Sequence, residues 1–153
     1  MVRLADIPEP ERTVIADLEC PTYPPVRIHP AVAAADRHVA IISTAGLIVR
    51  GERPMLSRDT GYRTITSQVP DTDILCSHVS VNFDRTGFQQ DLNVLLPRDR
   101  LKELEQEGFI GKAADTHYAF MGATNPLELE DKAHELSGKL LAFGVNTVVL
   151  APV

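Results

Sequence analysis

Two unbroken apolar runs constrain the fold more than anything else in these 153 residues: His38-Val39-Ala40-Ile41-Ile42-Ser43 and Asn146-Thr147-Val148-Val149-Leu150-Ala151-Pro152-Val153. A strand with one wet face alternates apolar and polar residues, whereas a strand covered on both faces does not. Both runs therefore read as buried strands of a parallel sheet. Parallel strands need crossover segments between them, and a helix is the usual one. The second run is delivered by a helical pattern and ends without a polar tail.

The punctuation elsewhere suits this plan. Thr44-Ala45-Gly46 closes the first strand with small residues that let a ligand approach the backbone. Charges interspersed with Gly and Pro over 51–61 predict a loop, followed by short strands at 62–65 and near 73–78. Pro97 opens a helix that carries Leu101 and Leu104 and stops at Gly108. A further strand over 116–121 ends at Gly122-Ala123-Thr124. A last helix over 126–142 sets Leu129, Ala133, Leu136 and Leu140 on one face, with Gly144 as its stop. The expected fold of residues 37–153 is α/β: an open, mainly parallel sheet flanked by helices, flavodoxin-like or Rossmann-like, and incomplete at its C-terminus. Residues 1–36 read as an extended arm. A short helix over 9–18 places Val14, Ile15 and Leu18 at helical spacing, and Pro21, Pro24, Pro25 and Pro30 then favour polyproline geometry.

Composition narrows the function. The formal charge is −6 and the basic residues are scattered among acids, which disfavours a nucleic-acid partner. There is no run of about 18 apolar residues and no charged-then-apolar leader, so no membrane partner is expected and the cytoplasm is the default location. GxGxxG and GxxxxGK[ST] are both missing, which disfavours nucleotide binding. Cys20 and Cys76 form no CxxC pair and suit reduced thiols. A small-molecule substrate is the expected partner.

Side chains of catalytic type crowd into 77–93. His78 suits a general acid or base, or a ligand-orienting donor, with a hydrogen-bonded structural histidine as the alternative. Asp84 and Arg85 are the pair an amino acid requires, one for its ammonium and one for its carboxylate; a salt bridge ordering the loop is the alternative. Asp91 and Asn93 are either substrate-binding residues or caps of the turns that follow. Cys76, beside Ser77 and His78, is either a thiolate favoured by the imidazole or a buried structural thiol. His117 lies on a strand and faces either the core or a site. His78, His117 and the nearby carboxylates have no metal-ligand spacing, and no metal is expected.

The carboxyl ends of parallel strands lie on one side of a sheet, so loops that follow different strands share one crevice. The turn at 44–46, the segment 78–93 and the turn at 122–124 are therefore expected to meet there, facing the end of the final strand. Thr44, Gly46, Arg85, Asp91, Asn93, Gly122 and Thr124 are the substrate-binding candidates. His78 and Asp84 are the catalytic candidates.

The run Ser77-His78, followed by Ser80-Val81-Asn82-Phe83-Asp84-Arg85-Thr86-Gly87-Phe88-Gln89-Gln90-Asp91-Leu92-Asn93, resembles the signature of the selenoprotein B family of glycine, sarcosine, betaine and D-proline reductases. So do the Thr44-Ala45-Gly46 turn, Glu107-Gly108-Phe109-Ile110-Gly111, and His117-Tyr118-Ala119-Phe120-Met121-Gly122-Ala123-Thr124. The resemblance runs from about Arg37 to the C-terminus. It implies reductive cleavage of a small amino-acid-like substrate by a selenol or thiol nucleophile. In the family a selenocysteine, or sometimes a cysteine, follows a strand similar to 148–153. By that comparison the nucleophile would follow Val153, and the chain is expected to be a truncated, inactive form of a longer enzyme. A pyruvoyl-bearing partner reductase subunit and a thiol reductant are implied by the same resemblance. An uncovered strand edge at the C-terminus is expected to favour homo-oligomers. The alternative is a non-catalytic module that binds a small acid or another protein.

Overall fold

The computed structural model describes residues 3–17, 21–26, 29–80 and 83–153. Strand β1 (His38–Ser43) is the hub of the sheet. Along one edge it runs parallel to β7 (Thr147–Ala151), with Val39 opposite Thr147 and Ser43 opposite Ala151. Along the other edge it runs parallel to two short strands, β5 (Lys112–Ala113) near its start and β6 (Thr116–Ala119) near its end. Strand β3 (Arg63–Thr66) closes that side, antiparallel to β6. Strands β2 (Leu47–Val49) and β4 (Ile74–Cys76) form a separate antiparallel pair. The result is the expected α/β architecture, a mainly parallel sheet flanked by helices.

The unbroken apolar run of β1 has the cause inferred for it, because each face of the strand is covered. Val39 and Ile41 pack with Ile65, Leu96 and Ala119, and with Leu101 of α3 (Arg98–Gln106). Ala40 points the other way, into a cluster with Tyr118, Phe120 and the Leu136 and Leu140 side chains of α4 (Glu130–Ala142). Burying each such leucine is worth about 2 kcal/mol. Helix α3 starts after Pro97 and ends at Gly108, whose φ of 71° suits a left-handed stop. Gly144, with φ of 75°, ends α4 in the same way. The helix expected over 126–142 is divided: the Asn125 side chain accepts from the Leu127 amide at 3.1 Å and caps a 3-10 turn, Pro126–Leu129, that leads into α4.

Polar contacts fasten the helices to the sheet. Arg98 is buried, donates to the Val69 carbonyl at 2.7 Å and pairs with Asp71, which ties α3 to the chain between β3 and β4. On the other face Lys139 of α4 donates to the Tyr62 hydroxyl at 2.7 Å, and that hydroxyl donates to Glu135 at 3.0 Å. In the N-terminal region α1 (Glu11–Ala16) occupies the middle of the expected helix, and Leu18 and Cys20 lie outside the described residues.

The structure differs from expectation in the last strand. Leu150 is 70% exposed, and Val148 and Val149 are 38% and 37% exposed; among the described residues β7 is an edge strand that pairs only with β1, so the run is not covered as a buried strand would be. An apolar groove of about 480 Å³ runs between β7 and α4, lined by Ile42, Phe120, Leu136, Leu140, Val148 and Leu150 among others. Among the described residues no helix is long and apolar enough to cross a membrane.

Candidate functional site

The carboxyl ends of β1, β6 and β7 are knitted together by main-chain bonds around Thr44. Its amide donates to the Ala151 carbonyl at 3.1 Å, and its carbonyl accepts from the Gly122 amide at 2.8 Å. Its hydroxyl accepts from the Val153 amide at 2.9 Å. Gly122 is required here because a Cβ would stand 2.7 Å from the Thr44 carbonyl oxygen. Gly46 is needed for a second reason. With φ of 62° it lies in the left-handed region, and a Cβ on it would stand 2.9 Å from Met121 Cε and 3.2 Å from the His78 amide nitrogen. Its carbonyl accepts from the Ser77 amide at 3.0 Å, which brings the chain after β4 up to the sheet's carboxyl edge.

At that edge lies a cleft of about 350 Å³ lined by His78, Ser80, Phe83, Asp84, Gly122, Ala123 and Val153. His78 is buried, and its Nδ1 accepts from the Ser80 amide at 3.1 Å. A neutral imidazole with Nδ1 as acceptor carries its proton on Nε2. That Nε2 is buried and has no hydrogen-bond partner among the described residues. Burial, and secondarily the charge of Arg85, hold the His78 pKa below its ordinary 6.5, so the ring is neutral at pH 7. Its ring tilts against Phe83, the centroids 5.1 Å apart. Asp84 is exposed, and its Oδ1 accepts from the Thr86 amide at 2.8 Å at the start of α2 (Thr86–Gln90). Thr86, through its side chain first and its amide second, holds the Asp84 carboxyl below the ordinary carboxylate value. The cleft thus offers a fixed negative charge and a neutral imidazole.

Other sequence candidates lie elsewhere or are differently engaged. Arg85 does not pair with Asp84 among the described ion pairs; its guanidinium donates to the carbonyls of His78 at 2.6 Å, Ser80 at 3.3 Å and Phe83 at 3.4 Å. Asp91 and Asn93 border a different recess, with Asp71 and Asp99. There Asp91 caps the turn Leu92–Val94 by accepting from the Asn93 amide at 2.9 Å, and the Asn93 side chain accepts from the Asp99 amide at 3.1 Å. Thr124 is buried, its hydroxyl directed to the carbonyls of Asp59 at 3.0 Å and Ser57 at 3.2 Å, and so anchors the loop over 51–61.

His117 is a core residue. Its Nδ1 accepts the Ile41 amide at 3.2 Å, where β5 and β6 are interrupted and a continuous strand would have offered a carbonyl. Burial, then the charges of Arg98 and Lys102, push its pKa down to about 4. The Cys76 thiol is half-buried, donates to the Ala45 carbonyl at 3.4 Å, and has its pKa raised by burial. It packs against the main core. No group of three or more metal-ligating side chains occurs among the described residues. Ser80, Phe83 and Ala123 were not singled out from sequence. Phe83 had a readable signal, as an aromatic residue flanked by Asn82 and Asp84 in a run rich in polar side chains.

Comparison with known proteins adds an independent line. The family model described as "Glycine/sarcosine/betaine reductase selenoprotein B" matches residues 10–153. The chain is 27% identical over 146 residues to the D-proline reductase subunit gamma of Acetoanaerobium sticklandii, covering 90% of this chain and 60% of that one. It is 25% identical over 146 residues to the glycine reductase complex component B subunit gamma of Carboxydothermus hydrogenoformans, covering 88% of this chain and 32% of that one. The sarcosine reductase complex component B subunit beta of Peptoclostridium acidaminophilum is 24% identical over 136 residues, 85% of this chain and 31% of its own length. The chain therefore spans between about a third and 60% of these relatives. No solved structure matches.

Proposed function

Since this chain belongs to the glycine/sarcosine/betaine reductase selenoprotein B family, we propose that it forms the substrate-side wall of a site where a small amino-acid-like molecule is reductively cleaved. The observation that carries the reading is the shared cleft of His78, Asp84, Gly122 and Val153 at the carboxyl edge of a mainly parallel sheet. Open α/β sheets bind ligands at this edge. Asp84, ionised, receives the substrate's ammonium or quaternary nitrogen. His78, neutral and protonated on Nε2, donates to a carboxylate oxygen or to a developing negative charge. In the family's manner the nucleophile is a selenol or thiol, and selenocysteine is expected beside Val153. A pyruvoyl-bearing partner subunit and a thiol reductant complete the reading. The half-buried Cys76 thiol, with its raised pKa, is a poor substitute for that nucleophile.

Titration of the chain with glycine, sarcosine, betaine and D-proline, followed by amide NMR, tests the proposal. Saturable shifts confined to Ser80, Asp84, Ala123 and Val153 are expected for at least one ligand, weakened about tenfold or more by Asp84→Asn or His78→Phe. Binding that leaves these resonances unmoved, or that survives both substitutions, would place the substrate elsewhere.

The exposed β7 edge and the apolar groove beside it favour a second role for the same chain, assembly with another subunit. The relatives' names describe them as subunits, several of them of multi-component complexes. We propose that this face is used for association with a second copy of this chain.

A further inference from the structure

We propose that Arg85 is a positioning residue that gathers the backbone at His78, Ser80 and Phe83 around its guanidinium and thereby sets the His78 imidazole in the cleft, rather than binding a substrate carboxylate itself. The inference rests on the reading that His78 works in that cleft. Its basis is where the guanidinium's hydrogen bonds go. Nη2 donates to the His78 carbonyl at 2.6 Å and to the Ser80 carbonyl at 3.3 Å, and Nη1 donates to the Phe83 carbonyl at 3.4 Å. The same cation lies 5.5 Å from the Phe83 ring centroid, and the other ring neighbour of Phe83 is the imidazole of His78 at 5.1 Å. One side chain therefore holds the backbone at His78, Ser80 and Phe83 and one side of the aromatic contact that supports His78.

The arrangement also settles the imidazole's protonation through geometry. The Ser80 amide that donates to His78 Nδ1 belongs to a residue whose carbonyl Arg85 holds. While that amide points at Nδ1, the nitrogen must act as acceptor, and the ring proton stays on Nε2. A second proton on the ring would face the Ser80 N–H and would add a positive charge beside the guanidinium. Arg85 thus favours the donor tautomer both by shape and by charge. A lysine in its place would keep the charge, but a single ammonium on a flexible stem cannot reproduce a planar fork spread over three carbonyls.

The test separates these contributions and needs no substrate. In NMR of the 153-residue chain, the His78 titration is followed by ¹H–¹³C correlation and the amide exchange of Ser80 by ¹H–¹⁵N correlation for wild type, Arg85→Lys and Arg85→Gln. Arg85→Gln is expected to raise the His78 midpoint, because a neighbouring positive charge is removed. Both substitutions are expected to speed exchange at the Ser80 amide by about tenfold or more, the loss of one charged hydrogen bond. Arg85→Lys should leave the midpoint closer to wild type than Arg85→Gln does. An unmoved midpoint together with unchanged Ser80 exchange in both variants would overturn the proposal and return Arg85 to the role of a direct carboxylate ligand. If the titration and exchange respond as expected but His78→Phe leaves ligand binding intact, the positioning role stands and the site reading fails.

Discussion

Acid should unfold this protein early, and His117 is the reason. Its Nδ1 accepts the Ile41 amide inside the sheet, and only a neutral imidazole can do so. In the native state its pKa is pushed down from 6.5 to about 4, mainly by burial, whereas in the unfolded chain it returns to the ordinary value. Between those values the unfolded state binds more protons than the native state, so stability falls as pH falls from 6.5 towards 4, and the loss is complete below about 4. Each pH unit of that interval is worth about 1.4 kcal/mol, which makes the whole about 3 kcal/mol. That is a large fraction of the roughly 5–15 kcal/mol that holds a domain of this size together. The assay is urea unfolding followed by circular dichroism at about pH 7.5 and about pH 4, in wild type and in His117→Asn. Asparagine places Oδ1 near the position of Nδ1, so it keeps an acceptor for Ile41 without titrating. His78, also held below its ordinary pKa, and the exposed carboxylates contribute to the acid slope in both proteins, and the difference between the two isolates His117. The wild type is expected to lose about 3 kcal/mol more than the variant. Equal losses would show that His117 does not titrate out of a buried, neutral state.

Three other outcomes follow from particular contacts. Gly122→Ala should cost about 2 kcal/mol or more and lower the urea midpoint without changing its slope, because the new methyl group meets a carbonyl oxygen held by the Gly122 amide itself; a neutral substitution would show that the rim yields. Leu150→Glu should reduce concentration-dependent association in light scattering and the binding of apolar dyes while changing stability by less than about 0.5 kcal/mol, since the side chain is 70% exposed; undiminished association would clear β7 of that role. Cys76 should react with iodoacetamide at pH 7 about tenfold more slowly than free cysteine, and at the ordinary rate once unfolded; fast labelling of the native protein would contradict a half-buried thiol of raised pKa.

The parts of the fold that were legible in sequence are those with local causes. The apolar run of β1 gives its bounds, and Pro97, Gly108 and Gly144 mark helix ends through backbone constraints that belong to those residues alone. Strands β2 and β5, three and two residues long, are strands only because β4 and β1 lie beside them, and no pattern of their own announces this. The apolar character of 147–151 was plain, but whether anything covers an apolar strand is decided by its neighbours. Polar residues divide in the same way. His78, Asp84 and Gly122 line one cleft, whereas Asp91, Asn93 and Thr124 bond to nearby backbone groups, and Asn93 also donates to the carboxylates of Asp91 and Asp99. A sequence shows that a side chain can hydrogen-bond and does not show which partner the tertiary fold brings to it.

The joint at Thr44 has a consequence for how such a site can diversify. One wall of the cleft is fixed by backbone: the Thr44 carbonyl on the Gly122 amide, and the Val153 amide on the Thr44 hydroxyl. The facing wall is built from the side chains of His78, Ser80, Phe83 and Asp84, and the carbonyls of the first three accept from Arg85. Substitutions in that wall can reshape the chemistry offered to a ligand and leave the hydrogen bonding of the sheet untouched.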